Sequence, residues 1–117
     1  MRLHHVQLAI PSGSEPKCRR FYLGLLGWRE LEKPAALQAR GGAWLSTGAS
    51  EVHLGVEADF RPARKAHPAF VVSDLDALAE KLRAAGAIVE FDDAIPGIRR
   101  FYTADPVGNR IEFLAEQ

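Results

Sequence analysis

The chain has a single cysteine, Cys18, so no disulfide can form within it. That excludes a disulfide-stapled secreted scaffold and makes a reducing cytoplasm the expected compartment. Long apolar runs are missing too. The amino-terminal stretch "MRLHHVQLAIPSGS" is too short in its apolar part, and too interrupted, to be read as a signal peptide or a membrane span. Net charge is absent, because 15 basic residues offset 15 acidic ones. A nucleic-acid partner held by a broad positive field is therefore not expected, and neither is a membrane partner. What remains is ordinary for one globular domain of 117 residues: 47% hydrophobic and 26% charged.

The chain repeats itself. "LHHVQLAIP" reads as a strand stopped by Pro11, and "SGSEP" as a helix start. "KCRRFYLGLLGW" then carries helical spacing at Phe21, Tyr22, Leu25 and Leu26 and ends at Gly27. "WRELEK", "LQARGGAWLS" and "SEVHLGVE" follow as three strands, the last two joined by a turn at Gly48, Ala49 and Ser50. The second half has the same order. "HPAFVVSD" reads as a strand, "LDALAEKLRAAG" as a helix with a stripe of Leu75, Leu78, Ala79 and Leu82, and "AIVEFDD", "IRRFYTAD" and "NRIEFLAE" as strands. His67 falls 62 positions after His5, Gly86 59 after Gly27, and Glu112 59 after His53. The fold class expected is α+β, one domain over residues 1–117. It is built of two βαβββ modules, 1–60 and 66–117, joined by a connector at 61–65. Arg61, Arg64 and Lys65 read as a solvated connector rather than an anion site.

Strand alternation sorts the faces. Val6, Leu8 and Ile10 share one face of the first strand, with His5, Gln7 and Ala9 opposite. In "SEVHLGVE" the apolar face is Val52, Leu54 and Val56, leaving Glu51, His53 and Gly55 on the other. His67, Ala69 and Val71 oppose Phe70 and Val72, and Glu112 and Leu114 oppose Ile111 and Phe113. An amphipathic helix covers the aliphatic face of its sheet. His5, His53, His67 and Glu112 therefore collect on the uncovered faces, together with Ala69, Val71 and Leu114. A carboxylate among apolar neighbours needs a partner. Imidazole and carboxylate together suit a divalent transition metal with open positions: zinc, nickel, manganese or iron. His4, on the opposite face by this alternation and without a counterpart in the second module, is assigned no role.

The segments "HVQLAIP", "FYLGLLGW" and "HPAFVVSDLDAL" carry a family resemblance, as does the closing "FYTADPVGNRIEF" with its DP-x-G-N-x-I-E signature. The chain resembles the vicinal oxygen chelate superfamily, which contains glyoxalase I, bleomycin-resistance proteins and extradiol dioxygenases. The resemblance implies curved mixed sheets around a cavity, with His5, His67 and Glu112 in the positions of metal ligands. His53 stands where glyoxalase I carries a Glu or Gln ligand, so it is read as a ligand or as a base. Tyr102 matches an active-site tyrosine of fosfomycin-resistance members, and Arg100 shares its face. Hairpin pairing across Gly48–Ala49 sets Trp44 opposite His53, with Arg40 further along that wall as a second substrate contact.

Two function classes are consistent with this. One is a metal enzyme of lyase, isomerase, transferase or dioxygenase type acting on a small oxygen-bearing substrate, with His53 and Tyr102 as catalytic residues and Arg40, Trp44 and Arg100 holding the substrate. The other is a small-molecule binding or sequestration protein of the antibiotic-resistance kind. An inert relative with hydrated side chains would make the repeat symmetry of the four positions an accident. A homodimer sharing its sites between chains is also expected, since open sheet edges are a liability and two-fold pairing covers them.

Overall fold

His5–Ile10 form the first strand, β1. Leu8 and Ile10 are buried while His5 and Gln7 are exposed, the period-two pattern of a strand covered on one face. These observations come from a computed structural model that describes residues 1–117. It divides into two units, Met1–Pro62 and Ala63–Gln117.

In the first unit, helix α1 (Glu15–Arg19) opens with Pro16 in its first turn and runs into a π-helical turn, Arg20–Leu25. The wider turn shows in the bond from Leu26 N to Phe21 O, 3.0 Å. Phe21 and Tyr22 of the expected stripe are buried, but Leu25 and Leu26 are only half-buried, because the π turn breaks the 3.6-residue period. Strands β2 (Arg29–Leu31), β3 (Ala43–Ser46) and β4 (Glu51–Val56) complete a sheet in the order β1-β4-β3-β2. β1 runs parallel to β4, and the other pairs are antiparallel.

The expected strand "LQARGGAWLS" starts only at Ala43. Upstream of it Ala35–Gln38 form a short helix, α2, behind an extended Pro34. Ala, Leu and Gln favour helix, and Gly41 and Gly42 then turn the chain back at φ +72° and +79°. The amide of Gly42 donates to Glu15 Oε2 at 3.0 Å, joining the β3 entry to α1.

That bond is the main reason the Glu15 carboxyl sits below its ordinary value of 4.5. A lowered folded value contributes stability that is complete above pH 4.5 and is lost as the pH falls through the folded value. Glu15→Gln lacks the charge at every pH. Its melting-temperature deficit against the native chain is expected to be largest at pH 7 and to close on acidification below about pH 4.5. A deficit that stays constant down to pH 3 would contradict this assignment.

The second unit repeats the topology. Strands β5 (Ala69–Val72), β6 (Glu90–Phe91), β7 (Arg100–Ala104) and β8 (Arg110–Ala115) are ordered β5-β8-β7-β6, again with the outer pair β5 and β8 parallel. Helix α3 (Leu75–Ala84) is capped by Asp74, whose carboxylate accepts from Ala77 N at 3.0 Å. Leu75, Ala79 and Leu82 are buried, and Leu78 is half-buried. Two expected strands are shorter than their sequence patterns. Pro68 has no amide to enter a ladder, so β5 begins after it and His67 lies just outside the strand. Asp92 turns back on Ala94 N at 2.8 Å and ends β6 after two residues. No helix is long and apolar enough to cross a membrane.

Candidate functional site

The turn before β8 sets the position of Glu112. Asp105 Oδ1 accepts from the amides of Val107 and Asn109, at 3.0 and 2.9 Å, and both Asp105 and Asn109 are buried. Asn109 Oδ1 in turn accepts from Ala63 N at 3.0 Å. The "DPVGN" motif is thus a self-bonded turn that starts β8 in a fixed register. From there Arg110, Glu112 and Leu114 face one way, and Tyr102 of β7 lies directly opposite Glu112.

Glu112 is 6% exposed and is not a solvent residue. Its Oε1 lies 3.0 Å from His67 Nε2, and its Oε2 accepts from Arg100 Nη1 at 3.3 Å. The other His67 nitrogen, Nδ1, is 2.8 Å from the Lys65 carbonyl. A carbonyl only accepts, so Nδ1 carries a hydrogen. In a neutral ring that leaves the Nε2 lone pair aimed at a carboxylate oxygen, an arrangement that only a proton or a cation between them makes favourable. With metal–ligand bonds of about 2.1 Å, donors at a right angle stand about 3 Å apart, so the pair fits a bound divalent ion. The Lys65 carbonyl is the outer partner that a metal-ligating histidine uses to hold its ring.

Arg100, expected from its place beside Tyr102 to contact a substrate, is engaged by side chains of its own unit. Nη1 donates to Glu112 and, at 3.0 Å, to the Tyr102 hydroxyl, and Nη2 is 3.4 Å from Asp92 Oδ2. Only its buried Nε has no partner. Its role in this arrangement is to orient the Glu112 carboxylate. Tyr102, accepting from Arg100, keeps its own hydroxyl hydrogen free to donate.

The first unit gathers its residues differently. The registers place Gln7 and Trp44 on either side of His53. The His53 ring is stacked between Trp44, at 4.3 Å and 10°, and His5, at 4.0 Å and 14°. This stack helps bury His53 to 5% exposure. Its Nε2 lies 3.1 Å from Glu51 Oε1, and that bond is the main cause holding the Glu51 carboxyl below its ordinary value. An Nε2–H donated to Glu51 leaves Nδ1 as the basic nitrogen. Rings this close to parallel cannot both present an in-plane lone pair to one ion, so a metal shared by His5 and His53 requires His5, the exposed ring, to turn. No three His, Cys, Asp or Glu side chains converge on one point. A hollow of about 470 Å³ opens beside the stack, lined by His5, His53, Trp44, Arg40 and Lys33 among others.

A family model described as a glyoxalase-like domain matches residues 9–114. The chain belongs to the glyoxalase-like domain family. Among solved structures, this glyoxalase-like domain is 44% identical to a protein from Bacillus anthracis assigned to the glyoxalase family, with a TM-score of 0.95 over 100% of this chain and 96% of that one. It is 16% identical to a genomically encoded fosfomycin resistance protein from Listeria monocytogenes, at a TM-score of 0.80 and coverage of 100% and 94%. It is 18% identical to a lactoylglutathione lyase from Agrobacterium tumefaciens, at 0.74 and coverage of 97% and 92%. These last two likenesses show the fold alone. A likeness at 17% identity and a TM-score of 0.78 to a member of the glyoxalase/bleomycin resistance protein/dioxygenase superfamily from Sphaerobacter thermophilus, covering 99% of this chain and 98% of that one, likewise shows the fold alone. No curated protein matches it.

Sequence reasoning gave no role to three residues that the structure brings to the two halves of this glyoxalase-like domain. Glu51 and Arg110 occupy the same position in the two modules, two residues before His53 and Glu112 respectively. Strand alternation set Glu51 on the face of His53 without a role, and the same alternation, not applied to Arg110, sets it on the face of Glu112. His4 was set aside on alternation, but β1 begins only at His5. Its Nδ1 lies 2.9 Å from His5 Nδ1, and it lines the same hollow.

Proposed function

We propose that this glyoxalase-like domain is a divalent-metal enzyme acting on a small oxygen-bearing substrate, with His67 and Glu112 as ligands. The observation that supports this best is the His67 Nε2–Glu112 Oε1 pair at 3.0 Å, with His67 Nδ1–H held by the Lys65 carbonyl. A bound zinc, nickel, manganese or iron ion would supply Lewis acidity toward an oxygen-bearing substrate. His5 supplies a further donor once its ring leaves the stack, and His53 is either a fourth donor or the base. As the base, His53 takes a proton at Nδ1 while Glu51 holds Nε2–H and steadies the ring. Tyr102 donates its hydroxyl hydrogen to a substrate oxygen. Trp44 and Arg40 wall the substrate, and Arg100 keeps Glu112 aimed. Isomerisation, elimination, thiol transfer and ring opening all fit this donor set. The working form is a homodimer in which His5 and His53 of one chain complete the pair supplied by its partner.

Elemental analysis of untagged protein purified without chelator tests the reading. About one divalent ion per chain is expected, and its loss in His67→Ala. Full metal content in His67→Ala would sink it. A sequestration protein is the second reading, favoured by the hollow beside the Trp44–His53–His5 stack, a platform for a flat ligand. In that case added metal leaves ligand affinity unchanged.

A further inference from the structure

β8 carries Arg110 two residues before Glu112, on the same face and about 7 Å away along the strand. Its guanidinium carbon lies 3.8 Å from the centroid of the Tyr102 ring. Stacking at this distance fixes the plane of the fork and leaves its N–H edge open. The guanidiniums at and just before the start of β7 are matched by acids: Arg99 pairs with Asp76, and Arg100 with Asp92 and Glu112. Arg110 has no carboxylate partner. Its one polar reach is to the Arg64 carbonyl at 3.5 Å, the limit of a hydrogen bond. Arg64, exposed and likewise unpaired, lines the same hollow of about 370 Å³ as Arg110 and Tyr102. Glu90, which faces Tyr102 across β6 and β7, is the hollow's only acid and pairs with neither arginine.

Two cations share a cavity wall with one unengaged acid, and one of the two is held in a fixed plane with no partner but a backbone carbonyl at 3.5 Å. We infer that Arg110, assisted by Arg64, binds an oxyanion, so that the substrate carries a carboxylate or phosphonate group beside its chelating oxygens. The connector arginine, read from the sequence as merely solvated, is then part of an anion site. A guanidinium fork matches the paired oxygens of either group, while the Tyr102 ring beneath it forbids the fork to rotate. Only the word "substrate" here rests on the metal-enzyme reading. The anion site is built from different residues.

Acetate and methylphosphonate serve as the two probes, titrated at low salt into the full chain with a chelator present and followed by the arginine Nε–Hε NMR signals. A saturable shift of the Arg110 signal is expected, and the probe that binds tighter names the source of the oxyanion. Arg110→Gln should weaken binding by about tenfold or more, the loss expected of a hydrogen bond to a charged group. Arg110→Lys should fall between, because it keeps the charge and loses the fork. Glu90→Gln should tighten both probes by roughly two- to fivefold, as the removal of one nearby like charge allows. Binding of both probes by Arg110→Gln as tightly as by the native chain, at an unchanged melting temperature, would overturn the inference. So would a Glu90→Gln that tightens neither. The chelator separates the two readings: Arg110-dependent anion binding with no metal site leaves this inference standing. Zinc held by His67 and Glu112 with no anion response removes this inference alone.

Discussion

Gly42→Ala is expected to cost the first unit most of its stability. Gly42 sits at φ +79°, where a side chain costs roughly 1 kcal/mol in backbone strain alone. The larger cost is contact. A methyl group there would stand 2.0 Å from the carbonyl oxygen of Leu54, a backbone atom in the β3–β4 pairing. No rotamer relieves it, so β3 must move away from β4. That movement takes Trp44 off His53 and breaks the Gly42–Glu15 bond. The combined loss is about 4–5 kcal/mol, a large share of the 5–15 kcal/mol that typically holds a domain together. Gly55→Ala is the control. Its new methyl would meet the Gln7 side chain at 2.4 Å, but Gln7 is exposed and can swing clear, so less than about 1 kcal/mol is expected. Urea unfolding of the two variants separates them. A native-like midpoint for Gly42→Ala would contradict the close β3–β4 approach described here.

How much of this was legible in the sequence depends on how far apart the interacting residues lie. The two modules, the order of elements along each and the faces of β1, β4 and β8 follow from period-two alternation and from a duplication visible in residue spacing, both local signals. Trp44 could be set opposite His53 because one tight turn joins their strands. The failures have a common cause. Residues 37–42 read as the start of a strand, yet form helix and turn, with two glycines in left-handed conformation, the second anchored by a carboxylate 27 residues away. The π turn at Arg20–Leu25 leaves no mark in spacing designed to detect a 3.6-residue period.

The same limit applies to the site. His67 and Glu112 were found as types on a face and Tyr102 through the family resemblance, but their partners come from elsewhere in the chain. The Lys65 carbonyl belongs to the connector, Asp92 to the end of β6, and the hold of Arg100 on Glu112 to the neighbouring strand. Which residue satisfies which is a tertiary question, and a face assignment alone made Arg100 look free when it is the best-engaged arginine of its sheet. Arg110 is the opposite case. The sequence reading gave it no role, whereas stacking on Tyr102 holds it in place with a single long hydrogen bond, to the Arg64 carbonyl.

Glu112→Gln should separate metal ligation from a purely structural ion pair. Glutamine keeps the volume and one acceptor oxygen, so packing in β8 is preserved, but the charge that faces both His67 and Arg100 is gone. In metal-free protein the cost is expected to be about 1–3 kcal/mol, the usual loss when a buried charged donor gives up its partner. That much follows whether or not a metal ever binds. Zinc makes the distinction. A ligand that binds only the folded state stabilises it by about 2.7 kcal/mol at a hundredfold excess over its dissociation constant. The native chain should therefore melt higher when zinc is added. Glu112→Gln, its affinity reduced by about a hundredfold or more, should show little of that rise at the same zinc concentration. Glu112→Ala should lose the rise as well, and additionally leaves a gap beneath Tyr102. If native and Glu112→Gln proteins gain equally from zinc, the ion sits elsewhere, and Glu112 and His67 are an ion pair that only holds β8 to the connector.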